Sequence, residues 1–220
     1  MRRVKMSLLS LVLGLVMYGQ ENNPYNTKGE EFISSLNLIA EDYFNGTVKD
    51  FTDESIRIYS SRLPIRHEIS MDIVSQVFRT IKSPGFDVFK FIAGTPFSQE
   101  LKNVFKKVIV LSSSVPMAEL KMSLRLLVEE IQRSSISEKE RELGLILVSI
   151  AHNSDLISHR MKDRPDVQCY LSGPGGSGVE QGVPCIIAGI ATGAIVGWQL
   201  CGFWCMLGGA VVGGLIGGLS

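Results

Sequence analysis

The chain has 220 residues, which is room for one ordinary domain with appendages. It carries 22 basic and 22 acidic residues, and three of the basic residues lie in the first five positions, in a segment that we expect to be removed. Without them 19 basic and 22 acidic residues remain, a net charge of about −3. The composition therefore offers no electrostatic case for binding nucleic acid.

The N-terminus has the pattern of a secretory signal peptide. The early cations precede an apolar run at positions 8–17, which is too short to span a bilayer. A small residue, Gly19, ends the segment, so we predict residues 1–19 as the signal peptide and Gln20 as the start of the exported chain. We therefore expect the protein in the cell envelope membrane or secreted.

The middle of the chain has helical periodicity nearly throughout. We predict a short exposed lead-in at residues 20–28 and a bundle of five or six short helices at residues 29–164. The clearest apolar stripes are Phe32, Leu36, Ile39 and Tyr43; Ile69, Ile73, Val77 and Ile81; Leu101, Val104, Phe105 and Val108; and Leu120, Leu124, Leu127 and Ile131. Ser137 with Glu140 fits a capping box at one helix start. About 130 residues suffice to bury a core, so we expect this part to fold independently.

The composition changes abruptly toward the C-terminus. We predict a Gly/Pro linker at residues 165–182 and a Gly- and Cys-rich apolar hairpin at residues 183–220. No residue after Glu180 is charged. Small residues recur there at every fourth position: Cys185, Gly189, Gly193, Gly197, Cys201, Cys205, Gly209, Gly213 and Gly217. Residues four apart share a helix face, so this glycine zipper leaves a groove into which another helix backbone can settle closely.

Length favours two helices over one in this region. A single helix over residues 184–219 would be about 54 Å long, against a hydrocarbon core of about 30 Å. We therefore predict a helical hairpin of residues 184–198 and 204–219, and a mainly α fold overall. Trp198 and Trp204 bracket the turn and are predicted to anchor it at a membrane surface. The helix-packing residues are predicted to be Gly189, Gly193, Gly197, Gly209, Gly213 and Gly217.

The four cysteines are Cys169, Cys185, Cys201 and Cys205, which allow three disulfide connectivities. In an exported protein an even number of cysteines favours disulfides. In a hairpin that turns near residue 201, Cys185 lies about 20 Å from the turn, beyond the reach of a disulfide to Cys201 or Cys205. The hairpin therefore favours Cys169 with Cys185, and Cys201 with Cys205. A bond from Cys185 to either of the last two would indicate a compact globular peptide, and free cysteines that only line the groove are the third alternative.

Catalytic and metal-binding patterns are sparse. His152, Asp155 and His159 stand at i, i+3 and i+7 on a predicted helix, where they could converge as metal ligands or as an acid/base pair. A solvated polar face is the more ordinary interpretation. The glycine-rich residues 173–178 lack the Lys-Ser/Thr of a phosphate loop. We predict a protein that is not an enzyme and has no cofactor and no metal site.

Part of the chain resembles a loose group of exported bacterial proteins. The resemblance rests on Asn23-Pro24-Tyr25, on Gly29 and Leu36, and on the run Leu147-Val148-Ser149-Ile150-Ala151. These proteins begin with Asn-Pro-Tyr, continue as a helical domain and end in a Gly/Ala-rich apolar tail, and their activity is unassigned. The resemblance covers about a tenth of the chain, which departs from the group in its cysteines and tryptophans.

The tail is also similar to bacteriocins, gene-encoded antibacterial peptides in which a Gly- and Cys-rich apolar peptide follows a leader. Gly175-Gly176 resembles the double-glycine leader cleavage site of that class. The usual leader residues ahead of this pair are not evident, and the tail lacks the Lys and Arg typical of peptides drawn to anionic membranes. This resemblance implies a membrane-active peptide.

Two functions fit these patterns about equally. The first is a membrane-active hairpin carried by an exported helical domain, with membrane lipid as its partner and an unidentified immunity or carrier protein beside it. The second is a structural envelope protein whose hairpin anchors the bundle permanently or oligomerises it through the zipper. An enzyme, the third class, has little beyond His152 and His159 in its favour.

Overall fold

The computed structural model describes residues 23–47, 70–163, 168–171, 178–201 and 203–219. The predicted signal peptide lies outside these residues. Within them the chain is mainly helical with one two-stranded sheet, which confirms the predicted fold class.

In chain order, the elements are a group of helices, a two-stranded sheet and a C-terminal helical hairpin. The bundle helices are α1 (Asn26–Phe44), α2 (Met71–Ile81), α3 (Val88–Ala93), α4 (Gln99–Ser114), α5 (Met117–Arg133), α6 (Glu138–His152) and α7 (His159–Lys162), with a 3-10 turn at Ser154–Leu156. They are followed by β1 (Gln168–Leu171), β2 (Gly178–Gln181), α8 (Val183–Cys201) and α9 (Phe203–Leu219). Five of the bundle helices in this part of the chain have 11 residues or more, as the apolar stripes predict.

Serine caps fix the starts of several helices. The hydroxyl oxygens of Ser70, Ser98 and Ser137 accept hydrogen bonds from backbone N–H groups at the starts of α2, α4 and α6. Each such cap contributes about 1 kcal/mol. The predicted capping box is only half formed, because the Glu140 carboxylate accepts the backbone N–H of Ser98 at 2.7 Å. Glu140 thereby ties the start of α6 to the start of α4.

The segment predicted as an exposed lead-in is instead held against α6. Asn23 is only 8% exposed, and its side-chain amide donates to the carbonyl oxygen of Leu145 at 3.0 Å. The Ser149 hydroxyl donates to the carbonyl oxygen of Tyr25 at 2.9 Å. Gly29 lies so near that a Cβ on it would be 2.6 Å from the carbonyl oxygen of Ser149. The two stretches that carry the resemblance to exported bacterial proteins thus meet as the α1–α6 contact.

The C-terminal half of α1 is held just as firmly. The Asn37 side chain donates to the carbonyl oxygen of Leu156 at 2.7 Å and accepts the backbone N–H of Ser158 at 2.8 Å. Further along, Arg160 forms an ion pair with Glu41 at 2.7 Å. Helix α1 is therefore fixed near both of its ends by residues that follow α5 in the chain.

The bundle and the hairpin share one hydrophobic core, which differs from the expectation that the bundle folds by itself. Helices α1 and α7 pack against α9, α3 and α4 pack against α8, and α2 packs against both. The physical reason is that α1, α2 and α4 each present an apolar stripe, while α8 and α9 are apolar on nearly every side. The hairpin supplies the surface that those stripes need.

The predicted Gly/Pro linker also contains regular structure. Strands β1 and β2 pair antiparallel, with Cys169 opposite Glu180 and Tyr170 opposite Val179. Gly182 follows with a φ of +66° and sits against the carbonyl oxygen of Lys162, where a Cβ would approach to 2.6 Å. Strands of only four residues are too short to show a two-residue period in the sequence. With glycines around them, the whole segment therefore has the composition of a linker.

Candidate functional site

The two helices of the hairpin face each other through their small residues. Each small residue of α8 lies against the one in α9 that is equally distant from Cys201. The facing pairs are Cys185 with Gly217, Gly189 with Gly213, Gly193 with Gly209, and Gly197 with Cys205. All six predicted helix-packing glycines therefore lie in this seam.

The helix backbones touch at the seam. A Cβ added at Gly193 would overlap the carbonyl oxygen of Gly209 and lie 3.1 Å from the Cα of Gly213. A Cβ at Gly213 would in turn overlap the carbonyl oxygen of Gly189. Only glycine permits this approach, and it is the small-residue packing that helices use inside membranes. Because the groove is filled by the same chain, oligomerisation through it requires the seam to open.

Disulfides tie both ends of the hairpin. Cys169 bonds to Cys185 and Cys201 bonds to Cys205, with Cα atoms 5.6 Å apart in each pair. This is the connectivity that hairpin geometry favours. The first bond joins the start of α8 to β1, and the second closes the turn between α8 and α9.

The rest of the molecule covers the hairpin. Every residue of α8 from Cys185 to Gly197 is buried, and only Gln199, Leu200 and Cys201 at the tip are exposed. In α9, Gly214 packs against Leu36 of α1. Among the described residues, Val183–Cys201 is the one helix long and apolar enough to cross a membrane, and 72% of its most apolar 18-residue window is buried in the fold.

The two tryptophans predicted as membrane anchors lie on either side of the tip. The Trp198 ring packs edge-on against Phe97 of the bundle, with ring centroids 6.4 Å apart. Phe97 stacks in turn on Phe105 of α4 at 6.2 Å. Trp204 lies in the first turn of α9, and its side chain is outside the described part of the structure. In this fold Trp198 therefore links the hairpin to the bundle.

His152, Asp155 and His159 do not converge on one helix face, and the solvated polar face expected for them is wrong at His152, which is buried. Helix α6 ends at His152, so Asp155 and His159 lie in two later elements rather than on the same helix. Asp155 forms an ion pair with Lys121 at 2.7 Å, and the exposed His159 lies 3.5 Å from Asp163. Within the described ranges no three histidine, cysteine or carboxylate side chains are grouped as a metal site.

His152 occupies a different kind of site, which the sequence pattern does not reveal. It is 7% exposed and lines a small pocket whose other walls include Asn23, Asn26 and Arg125. Neither ring nitrogen has a hydrogen-bond partner among the described residues. Burial, and then the positive charges of Lys121 and Arg125, lower the pKa of His152 from its ordinary value. His152 is therefore a buried, neutral imidazole at the joint between α1, α5 and α6.

The hairpin has the clearest physical chemistry in the chain. Its two segments are helices, whose backbone hydrogen bonds are internal except in the end turns. Their facing surfaces fill one another, and their outer surface is apolar. In water such an element is stable only when other groups cover it. In a bilayer it is stable without that cover. Compared with protein-family models, with curated proteins and with solved structures, the chain matches none of them.

Proposed function

We propose that this chain is an exported, non-enzymatic protein whose C-terminal hairpin inserts into a membrane, as a bacteriocin-like segment carried by a helical domain. The observation that carries the proposal is the closed glycine seam. Because α8 and α9 pack backbone to backbone, the hairpin can leave the bundle as one unit without exposing its own interface. The bundle then serves as the cover that keeps the hairpin in solution.

The dimensions of the hairpin suit a bilayer. Helix α8 has 19 residues and α9 has 17, lengths of about 28 and 26 Å against a hydrocarbon core of about 30 Å. Neither helix carries a charged side chain. The buried hydroxyl of Thr192 donates to the carbonyl oxygen of Ala188 at 2.9 Å, so it would not be left unpaired in lipid.

Export is supported by two independent features. The pattern of residues 1–19 is that of a signal peptide. All four cysteines of the described chain are paired in disulfides, which persist in oxidising compartments such as the cell envelope or the medium.

The second candidate is a permanent envelope anchor, and one observation favours it. The Cys169–Cys185 bond keeps α8 attached to β1, and so to the bundle, even if the chain is cut between the two strands. Cleavage at Gly175-Gly176 alone would therefore add one water to the unreduced mass and free no peptide. A released tail requires both that cut and reduction of the Cys169–Cys185 bond.

Mass spectrometry of the protein from the producing cell separates the two candidates. The sample is measured with and without reduction, from the envelope and from the medium. A cut chain whose tail appears only after reduction supports the carried hairpin. An uncut chain confined to membranes supports the permanent anchor.

A pair of matched leucine substitutions tests insertion itself. Leu200 at the hairpin tip is 39% exposed and Leu126 on α5 is 65% exposed, so a charge at either position leaves the fold intact. We expect Leu200→Glu to prevent the tip from crossing a vesicle bilayer, because a charged side chain would have to enter hydrocarbon. Leu126→Glu should insert like the unaltered protein. Equal insertion by both variants and the unaltered protein would refute insertion in which the hairpin tip crosses the bilayer.

A further inference from the structure

His152 lies where three parts of the bundle meet. The residue ends α6, Arg125 reaches the same pocket from α5, and Asn23 and Asn26 reach it from the start of α1. The imidazole is 7% exposed and has no hydrogen-bond partner among the described residues. A proton added to this ring would therefore be a charge buried without a partner, which folded proteins strongly disfavour.

The neighbouring charges make that proton less favourable still. In addition to burial, Lys121 and Arg125 of α5 lower the pKa of His152. The Asp155 carboxylate in the 3-10 turn raises that pKa. Asp155 is already paired with Lys121 at 2.7 Å. The start of α1 contributes only the uncharged Asn23 and Asn26, and α4, which also packs on α6, contributes no residue to the pocket.

The same joint holds α1, one of the helices that cover α9. Asn23 lines the pocket and also donates to the carbonyl oxygen of Leu145, which fastens the start of α1 to α6. Leu36, further along α1, packs against Gly214 of α9. If α1 moves away from α6 at His152, its contact with α9 is therefore affected as well.

We propose that protonation of His152 loosens α1 from α6 and uncovers the part of α9 that α1 covers, so that mild acid starts the undocking of the hairpin from the bundle. The opening step stands by itself, whereas its use for membrane entry rests on the proposed function above. The closed form favours the neutral ring, because burial lowers the pKa of His152 below its ordinary value near 6.5. The open form regains the ordinary value, so acid shifts the equilibrium toward it.

Amide hydrogen exchange of the full chain, without lipid, tests the opening step. The opening constant of α1 is measured from pH 7.5 to pH 5 after correction for intrinsic exchange rates. We expect it to rise by up to about tenfold per pH unit below about pH 6.5 in the unaltered protein. His152→Gln should abolish this rise. His159→Gln is the matched control and should retain it, because the His159 side chain is 88% exposed.

An undiminished acid response in His152→Gln overturns the proposal. If that variant does not fold, NMR titration of the His152 ring in the unaltered protein replaces it. The α1 opening constant must then rise as pH falls below about 6.5 and level off where the His152 ring titrates. Titration of the ring without a change in α1 exchange also overturns the proposal.

Vesicle binding separates this inference from the proposed function. The unaltered protein and His152→Gln are mixed with phosphatidylcholine vesicles over the same pH range. If α1 opens in acid but the protein binds no vesicles, the proposed membrane function is wrong and the acid-triggered opening is supported. If both proteins bind vesicles equally at every pH, the acid-triggered opening is wrong and the membrane function is supported.

Discussion

Gly193 and Gly209 lie so close across the α8–α9 hairpin that a Cβ on Gly193 would overlap the carbonyl oxygen of Gly209. The contact is reciprocal, because a Cβ on Gly209 would overlap the carbonyl oxygen of Gly193. Contacts of this kind recur along the seam at every fourth residue. The two helices of the hairpin therefore pack backbone against backbone, and the rest of the fold covers them.

The first prediction compares two buried helical glycines. Gly193→Ala should lower the free energy of unfolding by about 1 to 3 kcal/mol, because the added methyl group forces two backbones apart. Gly144→Ala is the matched control. A Cβ there would make an ordinary contact of 3.4 Å with a Leu101 methyl group, so better helix propensity should leave stability unchanged or raise it by up to about 1 kcal/mol. Chemical denaturation measures both, and equal effects would contradict the close seam.

The second prediction concerns the two disulfides. The Cys169–Cys185 bond closes a loop over a sequence separation of 16, and the Cys201–Cys205 bond one over a separation of 4. On the chain-entropy model, paired Cys→Ser variants should cost about 3 kcal/mol for the first bond and about 2 kcal/mol for the second. Thermal unfolding measures the difference. Peptide mapping without reduction checks the connectivity, and a Cys185–Cys201 peptide would refute the hairpin arrangement.

The third prediction concerns the docking of α1. Asn23→Ala removes the buried hydrogen bond to Leu145 and should lower the free energy of unfolding by about 1 to 2 kcal/mol. Asn103→Ala removes an exposed side-chain contact to Gln99 on α4 and should change stability by less than about 0.5 kcal/mol. Urea denaturation distinguishes them. Similar small effects from both would mean that the start of α1 is not fastened to α6 as described.

The fourth prediction concerns the dependence of global stability on pH. The pKa of His152 is lowered in the folded chain, so below the ordinary value of about 6.5 the unfolded chain binds a proton that the folded chain does not. The free energy of unfolding should therefore fall as pH is lowered through this range, by up to about 1.4 kcal/mol per pH unit. It should level off below the folded-state pKa. Denaturation at pH 7.5, 6.5 and 5.5 checks this. His152→Gln should flatten the change, and an equal fall in that variant would contradict the assignment to His152.

Periodicity alone predicts most of the helices. The stripe from Leu120 to Ile131 becomes the buried face of α5, and the stripe from Leu101 to Val108 that of α4. The four-residue spacing likewise predicts the hairpin and its turn. Local patterns suffice here because an apolar face at helical spacing has few other ways to be buried.

Tertiary contacts decide the parts that the sequence does not predict. Asn23 is polar and precedes a proline, so nothing local indicates that its amide meets Leu145, 122 residues away. The burial of His152 depends in the same way on α1 and α5 arriving at the end of α6. The hairpin becomes part of the common core rather than a separate tail, because the apolar stripes of several helices need an apolar surface to pack against.

The central claim is that the hairpin leaves its cover and enters a bilayer as one unit. The most direct measurement is amide hydrogen exchange of the protein bound to vesicles, compared with the protein in water. We predict that residues 183–219 remain protected on vesicles while the amides of α1, α2 and α4 exchange faster than they do in water. A protein that stays off the vesicles, or that binds them with its cover helices as protected as before, would contradict this account.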